Sequence, residues 1–202
     1  MKVIEQLLAN AGISPIAGVD EAGRGACAGP LVIASVVLND PFASELAVVR
    51  DSKEIAENKR DAVFDLIHQV AASVSVVIVP ASEVDSRGVH AANLDGMRRA
   101  VQGLSVEPAY VLTDGYAIEG LGVPNLAVWK GDQVVVSISA ASVIAKVTRD
   151  RIMREMDLEF PLYGFAGHKG YITAAHTKAL NEHGPCAEHR TSFANIAALI
   201  HK

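Results

Sequence analysis

The chain alternates short apolar runs of strand length with longer stretches whose apolar residues recur every three or four positions. The strand-like runs fall at 16–20, 31–38, 74–79, 109–113 and 126–129. The second, Leu31 to Leu38, is dense and β-branched, as a buried strand requires, and Asn39-Asp40-Pro41 stops it. Helical spacing predicts a first helix over 1–12, with Val3, Leu7 and Leu8 on one side and Gly12 as a stop. Further helices are predicted over about 56–72, 90–104, about 134–157 and 173–182, the last broken by Gly184-Pro185. This order predicts an α/β fold: a mixed sheet of about five strands flanked by helices, its later strands parallel, with a helical C-terminal appendage. No repeat or linker divides the chain. The expectation is one domain over 1–202, with a core at about 16–160 and the appendage at about 161–202.

Three of the strand-like runs lead into an aspartate. Ile16 to Val19 runs into Asp20, followed at once by Glu21; Ala109 to Thr113 runs into Asp114; Leu126 to Gly131 runs into Asp132. Neighbouring strand ends can bring such carboxylates to one point. Four together would repel one another unless divalent cations sat among them, and oxygen donors of this kind suit Mg²⁺ or Mn²⁺. Two such ions roughly 3.5–4 Å apart activate water and stabilise a leaving oxygen, which points to metal-assisted phosphoryl chemistry. Asp20 and Glu21 would face opposite ways on an extended strand, so a turn running into Gly23 is expected to let both serve one site. For each aspartate alone, an ordinary turn residue is an equally good reading; three strand ends doing the same thing favour a site.

Composition narrows the class. Of 202 residues, 50% are apolar and 20% charged, so the chain can build a sizeable core and is not largely disordered. Aromatic residues are only 5%, which leaves Val, Ala, Leu and Ile to fill that core. A net charge of −5 tells against coating nucleic acid by bulk electrostatics, but not against a local basic groove beside an acidic site. Cys27 and Cys186 read as two reduced thiols. With no signal-like N-terminus and no apolar run long enough to span a bilayer, a soluble cytoplasmic protein is expected.

Other motifs carry competing readings. Gly23-Arg24-Gly25 offers main-chain groups and a guanidinium near the carboxylates, or an ordinary tight turn. With Ala28 it fits a dinucleotide fingerprint, yet Gly29-Pro30 and the β-branched run behind it predict a strand where that fingerprint needs a helix. His183, Cys186 and His189 have a zinc-like spacing but lack a fourth ligand, and Gly184-Pro185 explains them as a turn. Tyr163 to Tyr171, with His168 and Lys169, mixes glycine, cationic and aromatic groups suited to a sugar-phosphate backbone. Arg151 and Arg154 read as a solvated, salt-bridged face, whereas Lys146 is placed nearer the site.

Taken together, these segments resemble type 2 ribonuclease H, the ribonuclease HII family. The resemblance rests on Gly18 to Gly25, Ala28 to Val32, Asp51-Ser52-Lys53, Asn93 to Ala100, Thr113-Asp114-Gly115, Lys130-Gly131-Asp132, Ser139 to Arg151, Tyr163 to Tyr171 and His189 to Phe193, spanning about 16–194. It implies an RNase H-like fold and metal-dependent cleavage of the RNA strand in RNA/DNA hybrids. It also implies cutting 5′ of single ribonucleotides in duplex DNA, leaving 3′-hydroxyl and 5′-phosphate ends, as in ribonucleotide removal from DNA. Asp20, Glu21, Asp114 and Asp132 would be the metal-binding catalytic carboxylates, with Mn²⁺ or Mg²⁺ as cofactor. The Gly23-Arg24-Gly25 backbone would sense the 2′-hydroxyl, and Tyr171 would pack on the following deoxyribose. Lys53, Lys146, His168 and Lys169 are further candidates for phosphate contacts, and the C-terminal helical segment would bind substrate. No membrane, no obligate protein partner and a monomer are expected. Two departures touch turns beside the site: Ala26-Cys27 where the family commonly has Pro-Leu, and Tyr116 where it has Asn. A hybrid-only nuclease and a binding module without catalysis are the rival readings.

Overall fold

A computed structural model describes residues 3–49, 52 and 55–200. In chain order the elements are α1 (Val3–Asn10), β1 (Ile16–Ala22), β2 (Leu31–Leu38), a 3-10 turn (Ser44–Val48), α2 (Glu57–Val70), β3 (Ala71–Val79), α3 (Ala81–Arg87) and α4 (Val89–Gln102). They continue with β4 (Tyr110–Asp114), β5 (Asn125–Val128), α5 (Gly131–Val134), α6 (Val136–Glu159), α7 (Phe165–His168), α8 (Ala174–His183) and α9 (Ala194–Ile200). The strands form one five-stranded sheet ordered β3-β2-β1-β4-β5. β1, β2 and β3 pair antiparallel, whereas β4 and β5 run parallel to β1, as the sequence order predicted.

β2 is buried throughout because helices cover both of its faces. Val32, Ala34 and Val36 meet Ala140, Ile144 and Val147 of α6 in one core cluster. Leu31, Ile33 and Val37 join Met97 and Ala100 of α4 in the other. The period of two along the strand thus feeds two cores, each Val, Leu, Ile or Met among them contributing roughly 1.5–3 kcal/mol on burial.

The entry of α6 lies directly on β1. A Cβ at Gly18 would stand 2.1 Å from the carbonyl carbon of Ser137, so only glycine permits the approach. The first helix completes this junction in a way its apolar spacing did not predict. Val3 and Leu7 are 70% and 64% exposed, while Ile4 and Leu8 pack inward and Glu5 is 1% exposed. The Glu5 carboxylate accepts the N–H groups of Val136 and Ser137, both at 3.0 Å. An anion at the positive end of α6 has turned α1 by part of a turn from its hydrophobic expectation.

Four helices were not foreseen: α3, α5, α7 and α9. α4 answers to the helix expected over 90–104, and α3 precedes it, divided from it at Gly88 with φ +79°. The other three are single or double turns, too short for a helical period to show.

Candidate active site

Asp20 lies on β1, and Asp114 ends β4 beside it in parallel register, Val19 facing Thr113. Asp132 stands in the first turn of α5, which follows β5 through Lys130 in a left-handed conformation. One carboxylate oxygen from each of the three lies within 4.8 Å of the others. Asp20 and Asp132 are buried and Asp114 half-buried. Hydrogen bonds hold two of them in place: Asp20 accepts the N–H of Glu21 at 2.7 Å, and Ser139 Oγ donates to the Asp132 carbonyl oxygen at 2.6 Å.

Glu21 is placed differently from the expectation. β1 continues through Ala22, still paired residue by residue with β2, so no turn intervenes between Asp20 and Glu21. Glu21 is not one of the three that converge. It borders the same space nonetheless. Glu21 and Asp114 together line two adjoining clefts of about 430 and 490 Å³.

The electrostatics of the triad fit a cation. Burial, then the charges of Glu21 and Asp114, push the Asp20 carboxyl well above its usual range. Buried hard-oxygen donors that repel one another are the donor set that Mg²⁺ or Mn²⁺ relieves. Among the described residues these aspartates form the sole group so arranged. The zinc-like spacing forms none: His183 pairs with Glu182, and Cys186 and His189 contact each other.

The larger wall of the first cleft carries Gly23, Arg24, Gly25, Lys146 and Tyr171 beside Asp20. Gly23 has φ +89°, and a Cβ there would lie 1.9 Å from Arg149 Nε. The loop turns onto a buried arginine, then enters β2, which removes the dinucleotide reading. Lys146 faces the cleft with its ammonium 2.7 Å from Asp150. His168 and Lys169 do not line it. The His168 ring bonds to Tyr163 O and Gly170 N, and the Lys169 ammonium donates to the Ala166 carbonyl. Lys53 lies outside the described residues. Of the two family departures, Cys27 is buried with Sγ 3.5 Å from Gly170 O, and Tyr116 lies under the Arg24 guanidinium at 4.9 Å. Arg151 and Arg154 pair with Asp61 and Glu57 on the surface.

Two arginines that the sequence did not single out as structural hold this wall. Arg149 donates to the carbonyls of Pro30, Lys169 and Ala28, and lies 5.5 Å from the Tyr171 ring. Arg190 donates to the carbonyls of Gly29 and Arg24. Burial lowers both guanidinium pKa values, that of Arg190 to about 10.

A family model described as ribonuclease HII matches residues 17–196. The chain belongs to the ribonuclease HII family. Ribonuclease HII of Acidothermus cellulolyticus is 57% identical over 192 residues, 95% of this chain and 62% of that protein. The chain therefore spans under two thirds of the length of that relative. Ribonuclease HII of Mycolicibacterium smegmatis is 55% identical over 97% of this chain and 72% of its own. Among solved structures, the ribonuclease H2 of Pyrococcus horikoshii OT3 matches with a TM-score of 0.78 and 25% identity, over 91% of this chain and 96% of that one. The members of the ribonuclease HII family are metal-dependent endoribonucleases. Among the described residues no helix is long and apolar enough to cross a membrane.

Proposed function

We propose that this chain cleaves the RNA strand of RNA/DNA hybrids and cuts 5′ of single ribonucleotides embedded in duplex DNA, leaving 3′-hydroxyl and 5′-phosphate ends, so that it removes ribonucleotides from DNA. The observation that carries the proposal is the meeting of Asp20, Asp114 and Asp132 where two clefts adjoin, one of them walled by Gly23, Gly25 and Tyr171. Carboxylates for the phosphate thus lie beside a main chain open enough to approach a ribose.

Asp20, Asp114 and Asp132, with Glu21 beside them, would hold Mg²⁺ or Mn²⁺, which when bound supply activation of water and neutralisation of charge on the departing oxygen. The protein's own residues do the selecting. Main-chain groups of Gly23 to Gly25 read the 2′-hydroxyl that separates RNA from DNA, and the Tyr171 ring packs on the deoxyribose that follows. Lys146 offers a cation near the phosphate path; His168 and Lys169 support Tyr171 from behind the wall. The two free thiols, Cys27 and Cys186, support a reducing, cytoplasmic setting, and the chain is read as a monomer without an obligate partner.

The deciding experiment is cleavage of a DNA duplex carrying one ribonucleotide, with Mg²⁺ or Mn²⁺ and with a chelator control. A metal-dependent cut on the 5′ side of the ribonucleotide supports the proposal. Cleavage of long hybrids alone would move the assignment to a hybrid-only nuclease, and binding without cleavage to a binding module.

A further inference from the structure

Three histidines from separate segments meet behind Tyr171. His168 ends α7, His176 lies in the first turn of α8, and His189 lies in the loop before α9. His176 and His189 are fully buried. Their hydrogen-bond roles follow from one fixed donor. The main-chain N–H of Cys186 meets His189 Nδ1 at 2.9 Å, so that nitrogen accepts. A neutral His189 then carries its proton on Nε2, 3.0 Å from Nε2 of His176. His176 must accept there, which leaves its own proton on Nδ1, 3.0 Å from the Tyr171 carbonyl oxygen. Every donor in the chain from Cys186 to Tyr171 has one acceptor.

We infer that His189 and His176 form a positioning relay that fixes the main chain of Tyr171 and so aims its ring into the candidate site. The inference deepens the proposed function, because the role of Tyr171 rests on that reading. The ring is 39% exposed at the mouth of the cleft, so packing on its outer side does not hold it. It is held from behind: Arg149 lies against the ring, the Tyr171 N–H donates to His168 O at 3.0 Å, and His176 takes the carbonyl. The same stretch reaches the Gly23 loop, since Cys27 N–H donates to Gly170 O at 3.0 Å.

The relay works only while both rings are neutral. A second proton on either would set two N–H groups against each other. The surroundings oppose that proton. His168 stacks on His176 at 4.2 Å, Cys27 Sγ lies 3.8 Å from His176 Nδ1, and Cys186 Sγ lies 3.1 Å from His189 Nδ1. The Tyr163 ring covers His189, Arg190 adjoins it in the chain, Arg149 lies across Tyr171, and Glu188 is the neighbouring carboxylate. Burial, then the other histidines, lowers His189 to about 4, and burial lowers His176.

The test uses the full chain with His176→Phe, His176→Asn, Tyr171→Ala and the Phe–Ala double variant, each first shown to be folded by thermal melting. Asparagine keeps an N–H donor near the Nδ1 position; phenylalanine removes it. kcat/KM is measured on the single-ribonucleotide duplex and on a continuous hybrid. The relay predicts an about tenfold loss for His176→Phe on the first substrate, the scale of one buried hydrogen bond. It predicts a smaller loss on the hybrid, recovery with His176→Asn, and no further loss when Tyr171 is already alanine. ¹⁵N spectra of histidine-labelled wild type at pH 7 should show His176 protonated on Nδ1 and His189 on Nε2. Full activity in folded His176→Phe, an equal loss in the Tyr171→Ala background, or reversed tautomers would overturn the relay. If the wild type cuts neither substrate, the proposed function fails, and the tautomers alone decide whether the hydrogen-bond chain exists.

Discussion

The main-chain N–H of Gly131 donates to Asp114 Oδ1 at 2.7 Å, which ties the end of β4 to the turn that carries Asp132. One hydrogen bond thus sets the spacing of two of the three converging carboxylates. A Cβ at Gly131 would lie 2.5 Å from Ile138 Cδ1 and 3.4 Å from Asp114 Oδ1. Gly131→Ala is therefore expected to lower kcat by about 100-fold through misplacement of order 1 Å. Its stability should fall by only about 1–2 kcal/mol. Comparing turnover with urea unfolding separates the two; equal wild-type turnover would show that the spacing is not set here.

Asp20→Asn should stabilise the metal-free protein while abolishing cleavage. The buried carboxylate faces Glu21 and Asp114, and removing its charge relieves that repulsion while the amide oxygen still accepts the Glu21 N–H. The gain should be about 1 kcal/mol, a melting temperature a few degrees higher in chelator. Mn²⁺ at a hundred times its Kd should stabilise the wild type by about 2.7 kcal/mol and the variant much less. Differential scanning calorimetry with and without the ion checks both; a lower chelator melting temperature would refute the repulsion argument.

Glu5→Ala is expected to cost about 2 kcal/mol although Glu5 lies far from the cleft in sequence. It leaves two buried N–H groups at the start of α6 without their acceptor. The fall should appear in chemical denaturation, with kcat largely retained because the aspartates keep their supports.

Acid should weaken the His176–His189 region before neutral pH effects appear. Both folded-state pKa values lie below the ordinary histidine value of about 6.5, His189 at about 4. Between these values the unfolded chain binds more protons than the folded one, so stability rises with pH. The contribution is complete above about pH 6.5 and is lost as pH falls toward 4. The raised Asp20 carboxyl acts in the opposite sense, so the quantity to measure is the difference between wild type and His189→Asn across pH 4.5 to 7. That difference should shrink on acidification; a flat difference would show that His189 is not held neutral.

The sequence was most legible where period and chemistry coincide. The Leu31–Leu38 run forms the doubly buried strand it suggested, and the aspartates at 20, 114 and 132 converge, the first two because parallel β1 and β4 lie side by side and the third through the turn after β5. It was least legible where long-range electrostatics outweigh local pattern. Nothing in the apolar spacing of α1 shows that Glu5 would be buried and Val3 exposed, since the determinant is a helix start 131 residues away. Nothing in the local pattern separates Arg149 from the solvated charges at 151 and 154, yet it is buried against three carbonyls. The strand was expected to end at Asp20 and turn on its way into Gly23, but β-pairing with β2 carries it through Glu21 and Ala22.

The carbonyls of Arg24, Ala28, Gly29 and Pro30 are gripped by guanidinium groups that arrive from residues 149 and 190. The carboxylates, by contrast, are secured by the sheet and the start of α6. The carboxylates and the wall proposed to read the sugar are therefore anchored by different contacts. Loosening the Arg190 segment should yield a protein that still gathers its aspartates around a cation but grips the ribose poorly. On the proposed reading, discrimination between RNA and DNA would thus be retuned from residue 190 without touching a single aspartate.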